Sequence, residues 1–522
     1  MSDRTLYYFA VGGTGALSVE PLLHLCAAGL GPARLSVTLI DADAGNPALA
    51  RALELLLTYT QVRELFGKPT DGFFRTEIIS TKGGGTWTPL GTGNGAVSGE
   101  VSLESFVQKA LMVDSCEDAR HLLDLLFSDS EQKERLKEGF RGHPAIGSVL
   151  MHGLKDAVVF KEMMASAKND AESCFFAVGS VFGGTGAAAL PVLAEILAQI
   201  GIARDRVGAA LVTPYYSLGQ PSQAEEQDHR LKPDSARFLY AATGALPTYV
   251  HGDSQYGRLY AVGDDQSLAQ ARKIYSAGGK DQRNDPHFVE LYAAAAALDF
   301  MSSRESAGLS PIRYVTVGDP DPTWTDLPLA GVNDLVALFI ASNFFLQYFG
   351  AHRSPADEQR LTNELQKVGG WLHDIALKPT FVREHARELN TLGKYFESVW
   401  GYLWAITNNY RALRLVNFDI PTSTRVSVPA TYASGGDGSS EFSLPQVDRC
   451  FEGYNARRRG GWLKRAEPDH LGSLAEMFNW YNLVNVAGDT GMRGLLRYLR
   501  LGSHKFFADW YSPAGVSQRV QV

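Results

Sequence analysis

Apolar residues run unbroken through Leu6-Tyr7-Tyr8-Phe9-Ala10-Val11, and a second run follows at Leu35-Ser36-Val37-Thr38-Leu39-Ile40. Short apolar runs bounded by turn residues predict strands buried on both faces, as in a parallel sheet. Between them, Leu17 to Leu30 carries its apolar positions at helical spacing and ends at Gly29 and Gly31. Strand, helix, strand is a βαβ unit, so the pattern predicts an α/β fold with helices on both faces of the sheet.

The same order returns downstream. A strand at Cys174–Val178, a helix at Ala187–Ile200 and a strand at Val207–Val212 are predicted. The last of these runs into Thr213-Pro214-Tyr215-Tyr216. A helix is expected from Ser235 to about Tyr249, and strands at Arg258–Gly263 and Arg313–Val317. An alanine-rich helix reaches Leu298, its run at 293–297 suited to close packing. Residues 99–170 read as several helices with charged faces. Beyond about 330 the chain turns mostly helical and aromatic, and Tyr432 to Ser440 is the clearest loop.

Composition narrows the class. The 522 residues are 45% hydrophobic and 20% charged, enough for a sizeable core and two to four domains. A net charge of −8 argues against non-specific nucleic-acid binding. Cys26, Cys116, Cys174 and Cys450 form neither a CxxC pair nor a disulfide framework. With no basic-plus-apolar leader pattern, the expectation is a cytoplasmic protein. The longest apolar stretch, Leu335 to Leu346, is shorter than the ~20 residues a bilayer requires, and Asn343 interrupts it. It reads as a buried helix.

The candidate chemistry lies at two glycine turns. Gly12-Gly13-Thr14-Gly15-Ala16 and Gly183-Gly184-Thr185-Gly186-Ala187 each follow a predicted strand and open a helical stretch. Glycines allow positive φ and close approach of the backbone to a phosphate. The helix start adds free N–H groups and the positive end of its dipole. Two such turns predict two walls of one nucleotide pocket. Asp41 and Asp43 close the second strand, where carboxylates can reach a ribose or a metal-bound water. A further glycine-rich loop runs from Lys82 through Gly83, Gly84, Gly85 and Thr86 to Trp87 and beyond.

These pieces, in this order, resemble the tubulin/FtsZ superfamily, and in particular its divergent bacterial tubulin-like members. The family's phosphate signature is similar to Gly183-Gly184-Thr185-Gly186-Ala187 and its first phosphate loop to Gly12-Gly13-Thr14-Gly15. Its acidic second loop resembles Asp41-Ala42-Asp43, and its third, γ-phosphate-sensing loop resembles Gly83-Gly84-Gly85-Thr86-Trp87. Its Val-Val-Thr-x-Pro-Phe strand end resembles Leu211-Val212-Thr213-Pro214-Tyr215. The likeness covers residues 5 to about 320, and Phe182 and Ala188 stand where the signature carries glycine.

The resemblance implies a GTP/GDP site with Mg²⁺ between the phosphates, a probable GTPase activity, and self-association into filaments. It implies a nucleotide-binding domain over 1–230 with a helical insertion at about 99–170. A central helix with an intermediate α/β region would span 231–330; the mostly helical pattern of 331–522 departs from the family's usual C-terminal sheet and is read as a further domain able to dock a protein partner. In the family an Asn-x-Asp-x-x-(Asp/Glu) helix start enters the next subunit's pocket. Here the counterpart is Asn284-Asp285-Pro286-His287-Phe288-Val289-Glu290, with Pro286 at a first helical position. It implies that Asn284, His287 and Glu290 are catalytic. No purine-binding asparagine is evident between Ser235 and Tyr249, which keeps ATP open.

Two other readings stand beside this one. One is a non-polymerising nucleotide-held scaffold or switch, conceivably in phage defence. The other is an NAD-dependent oxidoreductase, although Ser18 replaces the third glycine of a dinucleotide fingerprint. Arg457, Arg458, Arg459, Lys464 and Arg465 flank Trp462, and Arg493, Arg497 and Arg500 share one helical face. Such patches suit a solvated face, an acidic partner or a lipid surface.

Overall fold

The structure is a computed structural model. It describes residues 4–79, 85–91, 101–112, 116–136, 139–140, 142–168, 170–218, 237–250, 254–264, 274–275, 284–303, 312–314, 323–324, 327, 329–349, 379–409, 415–429, 432, 441–448, 450–452, 454–456 and 491–513.

The first βαβ unit forms where the pattern predicts it. β1 (Thr5–Val11) is buried along its whole length, α1 (Gly12–Ala27) follows at once, and β2 (Arg34–Ile40) pairs in parallel with β1. α1 begins at Gly12 rather than Leu17, because the glycine turn is itself the first turn of the helix. After α2 (Pro47–Leu65), the short strands β3 (Glu77–Ile78) and β4 (Thr86–Trp87) both lie beside β2.

Helices α3 (Leu103–Phe106), α4 (Glu117–Leu126), α5 (Asp129–Gln132), α6 (Pro144–Met151) and α7 (Val158–Lys168) occupy the charged helical stretch. β5 (Cys174–Ser180), α8 (Gly184–Gln199) and β6 (Val207–Val212) repeat the opening pattern. β7 (Ser217–Leu218) pairs with β9 (Ile274–Tyr275) apart from the main sheet. β8 (Arg258–Val262) and β10 (Ile312–Tyr314) extend that sheet. α9 (Phe238–Val250) precedes β8, and α10 (Phe288–Ser303) lies between β8 and β10.

The main sheet is parallel throughout, in the order β10-β8-β6-β5-β1-β2-β3, with β4 also paired to β2. From β1 the chain winds one way through β2, and from β5 it winds the other way through β6. The reversal between β1 and β5 is the switch point, beyond whose carboxyl ends an open α/β sheet leaves a crevice.

Alternation along the strands separates the two faces. Tyr8 stacks on Phe176; Tyr8 bonds Ser18 of α1, and Phe176 meets Phe300 of α10. Tyr7 and Phe175 stack on the opposite face, where Phe9 meets Phe160 of α7. The last helices of the 99–170 stretch therefore cover one side of the sheet, α6 packing on α8.

The C-terminal region adds an outer layer over α1, α2 and α10. It holds α11 (Val332–Phe349), α12 (Pro379–Glu384), α13 (Ala386–Asn409) and α14 (Met492–Trp510). Two antiparallel pairs accompany them: β11 (Pro421–Ser427) with β12 (Glu441–Pro445), and β13 (Tyr454–Ala456) with β14 (Tyr511–Pro513). α13 packs on α2, and α11 on α13 and α14. Because α1 and α10 are covered on both sides, they are buried nearly all round instead of being amphipathic.

The fold class is thus α/β, a helix-wrapped parallel sheet with a mostly helical C-terminal region. α11 is long and apolar enough to cross a membrane by length and composition, yet 78% of it is buried inside the protein. Asn343 in α11 donates to the Pro445 carbonyl, and Trp400 donates to Ser342.

The structure corrects three expectations. The helix near 284–290 starts at Phe288, not at Pro286. The helix that lies against α1 in the middle of the molecule is α10, whereas α9 leaves Leu239 and Tyr240 exposed. The arginines of α14 are not simply a solvated face. A Cβ at Gly67 or Gly72, both at positive φ, would strike the guanidinium of Arg493 or Arg500, and Arg500 also bonds Asp71 at 2.9 Å. The cluster at 457–465 lies outside the described residues, as does most of the Tyr432–Ser440 loop.

Candidate functional site

The two glycine turns meet at the switch point. A Cβ on Gly12, whose φ is +68°, would sit 3.3 Å from Thr185 Cβ and 3.6 Å from the Gly186 nitrogen. The final glycine of each copy does the same packing job. A Cβ on Gly15 would fall 2.5 Å from the Val178 carbonyl, and one on Gly186 would collide with the Ser180 carbonyl. Both helices therefore press their first turns onto the end of β5.

Neither helix start is capped by a side chain, and neither has an acidic residue in its first turn. Two uncapped N-termini pointed at one crevice supply free N–H donors and positive dipole ends. Gly13, Gly183 and Gly184 stay half-buried, while Thr14 and Thr185 are buried. The segment at Phe140 and Gly142 lies close over Gly184.

Asp41 joins the two turns. Its Oδ1 accepts from Thr185 Oγ1 at 3.2 Å and from the Asp43 N–H at 3.2 Å, and its Oδ2 accepts from Asn46 Nδ2 at 2.9 Å. Asn46 lies beside the first turn, 3.0 Å from where a Gly13 Cβ would be, and its Oδ1 caps α2 by accepting from Ala48 N–H. Burial raises the Asp41 carboxyl to about 6, against the lowering effect of its hydrogen bonds. Asp43 accepts from the Gly45 N–H.

The third loop ends beside this group. Gly85, at φ +70°, accepts from the Leu39 N–H through its carbonyl, and the Trp87 carbonyl accepts from the Asp41 N–H. Thr86 Oγ1 is buried with no hydrogen-bond partner among the described residues. Gly84 lies outside the described residues. Thr213 is on the same edge of the sheet, but its N–H and hydroxyl both bond the Val262 carbonyl.

Asn284, His287 and Glu290 stand elsewhere than the resemblance implies. Phe300 near the end of α10 packs beside Gly208 at the start of β6, and Ser303 bonds Arg258 at the start of β8. The start of α10 therefore lies at the carboxyl edge of the sheet, the same edge as the glycine turns. On this edge the three residues stand beside the chain's own glycine turns, where the resemblance implies a place in the next subunit's pocket. His287 and Glu290 are also fully buried.

Together these two residues form a reciprocal helix cap. The Val289 N–H donates to His287 Nδ1 at 3.1 Å, and the His287 N–H donates to Glu290 Oε2 at 3.0 Å. Tyr215 Oη donates to the other Glu290 oxygen at 3.1 Å. Burial raises the Glu290 carboxyl to about 8 despite these bonds, so it is mostly protonated at neutral pH. Asn284 Oδ1 is buried with no hydrogen-bond partner among the described residues.

A buried charged cluster, not foreseen from sequence, links the start of α10 to α1, the helix that the first glycine turn opens. Arg51 of α2 pairs with Glu20 of α1 at 3.0 Å and donates to the Asn284 carbonyl at 3.4 Å. Tyr432 Oη donates to Glu20 at 2.6 Å, and the Arg51 guanidinium lies 4.6 Å from the Tyr432 ring centre. Beside it, His24 is held neutral, its imidazole lowered to about 3 by burial and by Arg51. The readable signals were Asn46-Pro47, a cap followed by proline, and Glu20, the sole acidic residue of an apolar helix.

With this geometry in place, the class is a doubly wound α/β domain whose two glycine-turn helices converge at the switch point. No protein-family model matches the chain, and no curated protein matches it. Solved structures similar to it belong to the tubulin/FtsZ superfamily. One is CetZ1 from Haloferax volcanii, a GDP-bound monomer, at 13% identity and a TM-score of 0.27, covering 52% of this chain and 53% of that one. Another is an empty FtsZ dimer from M. jannaschii, at 13% identity and a TM-score of 0.26, covering 59% and 57%. A third is CetZ2 from Haloferax volcanii, a GTPγS-bound protofilament, at 12% identity and a TM-score of 0.26, covering 58% and 60%. The chain spans less than two thirds of each, and likeness at this identity concerns fold alone.

Proposed function

We propose that this chain is a tubulin/FtsZ-like nucleotide-binding protein that holds GTP or GDP in the crevice between its two glycine turns. The observation that carries the reading is Asp41, which ties Thr185 of one turn to Asn46 beside the other, under two uncapped helix N-termini. The backbone of Gly12 to Gly15 and of Gly183 to Gly186 binds the phosphates. Gly85 and Thr86 close the γ-phosphate side. Asn284, with its buried amide oxygen on the same edge, faces the base, and Thr213 lies between the two ends.

The oxygen donors at hand, Asp41, Asp43, Thr14 and Thr185, suit Mg²⁺. No cluster of three acidic, histidine or cysteine side chains exists among the described residues. The ion is then held chiefly by phosphate and water, as Mg²⁺ prefers. When bound it supplies charge neutralisation between the phosphates. The dinucleotide reading leaves the second turn, packed against Gly12, without a role.

The nucleotide-held scaffold gains ground from one observation. Asn284, His287 and Glu290 lie on the pocket's own edge, the latter two used as a cap, so hydrolysis completed between subunits does not rest on them. Self-association remains part of the proposal as a property of the class. The test is equilibrium binding of GTP, GDP, ATP and NADH to purified protein, with phosphate release followed over a hundred-fold range of protein concentration. Guanine-nucleotide binding that Thr185→Val weakens is the expected result. Turnover per chain rising with concentration would restore the shared active site, and tight NADH binding alone would overturn the proposal.

A further inference from the structure

We infer that the C-terminal layer completes the base side of the nucleotide site through Tyr432 and Arg51, so these two are positioning residues. This rests on the nucleotide reading above and goes beyond it. Arg51 reaches the α10 start by donating to the Asn284 carbonyl, which fixes the backbone that carries the Asn284 side chain. Arg51 in turn is held from below by Glu20 at 3.0 Å and covered by the Tyr432 ring at 4.6 Å. The Tyr432 hydroxyl donates to the other Glu20 oxygen at 2.6 Å, so one tyrosine orients both members of the ion pair.

A buried pair needs such help. Arg51 and Glu20 are both almost fully buried, and the desolvation cost of two charges is recovered only when their remaining hydrogen-bonding positions are filled. The tyrosine that fills one belongs to the outer layer, whose own packing makes room for it. Gly401 of α13 has no side chain where Pro429 and Tyr432 come in, and a Cβ there would lie 2.6 Å from Pro429 Cδ. Tyr432 N–H is anchored to the Pro429 carbonyl at 2.9 Å. The path runs from α13 through Pro429, Tyr432 and Arg51 to Asn284, and it bypasses the glycine turns.

That separation gives the test. GTP and inorganic tripolyphosphate, each with Mg²⁺, are titrated calorimetrically into the full-length wild type, Tyr432→Phe and Gly401→Ala. Tyr432→Phe keeps the ring over Arg51 and removes only the hydroxyl, so it is the variant least disturbing to the fold. Gly401→Ala presses a Cβ onto Pro429, whose carbonyl anchors Tyr432, and alters neither Arg51 nor Glu20 itself. The expected result is GTP binding weakened about ten-fold in each variant, with tripolyphosphate affinity within two-fold of wild type. A merely structural role would move both ligands together or neither, and either outcome overturns the inference. A wild type that binds neither ligand would instead sink the nucleotide reading itself, and this inference with it.

Discussion

At the residue scale, Glu290 shows how burial sets the protonation of a side chain that the resemblance assigns to catalysis. Its carboxyl is raised from 4.5 to about 8 by burial. A carboxyl raised in the folded state stabilises fully below its unfolded value, and the contribution is lost as pH climbs through the folded value. Stability should therefore fall between about pH 4.5 and pH 8, by roughly 5 kcal/mol at most from this group. Glu290→Gln keeps an acceptor oxygen for the His287 N–H, can donate its amide N–H to the Tyr215 oxygen in place of accepting from it, and cannot ionise. Urea midpoints at pH 5, 7 and 8.5 should fall more steeply for wild type than for this variant, and parallel curves would show that Glu290 does not carry the dependence. Asp41, raised from 3.8 to about 6, carries the same sign over a lower window. The variant's remaining slope between pH 4 and 6 should include it.

At the scale of single elements, the strand-and-glycine grammar was legible because each link depends on neighbours in sequence. Buried parallel strands must be apolar throughout, and a helix pressed onto a strand end must begin with glycine. What joins the elements was not legible. Arg51 meets Glu20, Asn284 and Tyr432 across two helices, the segment before α10 and a loop, and no local pattern encodes those distances. The start of α10 illustrates the cost. Asn284 to Glu290 reads as a reactive helix start, but which edge of the sheet it occupies depends on topology. Asn46 lies between these cases, since its capping role is local and its bond to Asp41 is not. Asn46→Ala should cost about 1 kcal/mol as a lost cap, measured by thermal unfolding, and should weaken GTP binding as well by freeing Asp41. A loss of stability with unchanged affinity would confine Asn46 to capping. Gly186→Ala drives a Cβ into the Ser180 carbonyl and has no flexible side chain to displace. It should destabilise by roughly 1–3 kcal/mol and abolish nucleotide binding, and wild-type binding in this variant would exclude the second turn from the site.

At the scale of the whole molecule, the boundary near 330 separates stretches of sequence but not cores. Leu22 and Leu25 of α1, Leu291 of α10, Phe339 of α11 and Leu403 of α13 belong to one continuous apolar cluster. Tyr395 of α13 donates to the Leu23 carbonyl and packs edge-on against Tyr59 and Phe74. Arginines of α14 close over Gly67 and Gly72. Removing the outer layer would expose α1 and α10, which are buried nearly all round and carry apolar side chains on the faces that layer covers. The α/β sheet domain and the C-terminal layer should therefore open together, although a chain of 522 residues has room for separable units. Native-state hydrogen exchange in rising urea makes the comparison directly. The slowest amides of α1 and of α11 should converge on one isotherm with one slope. If α11 instead exchanged through a smaller opening while α1 stayed protected, the outer layer would be a detachable domain. The contact between Tyr432 and Glu20 would then be one the α/β sheet domain can lose while staying folded.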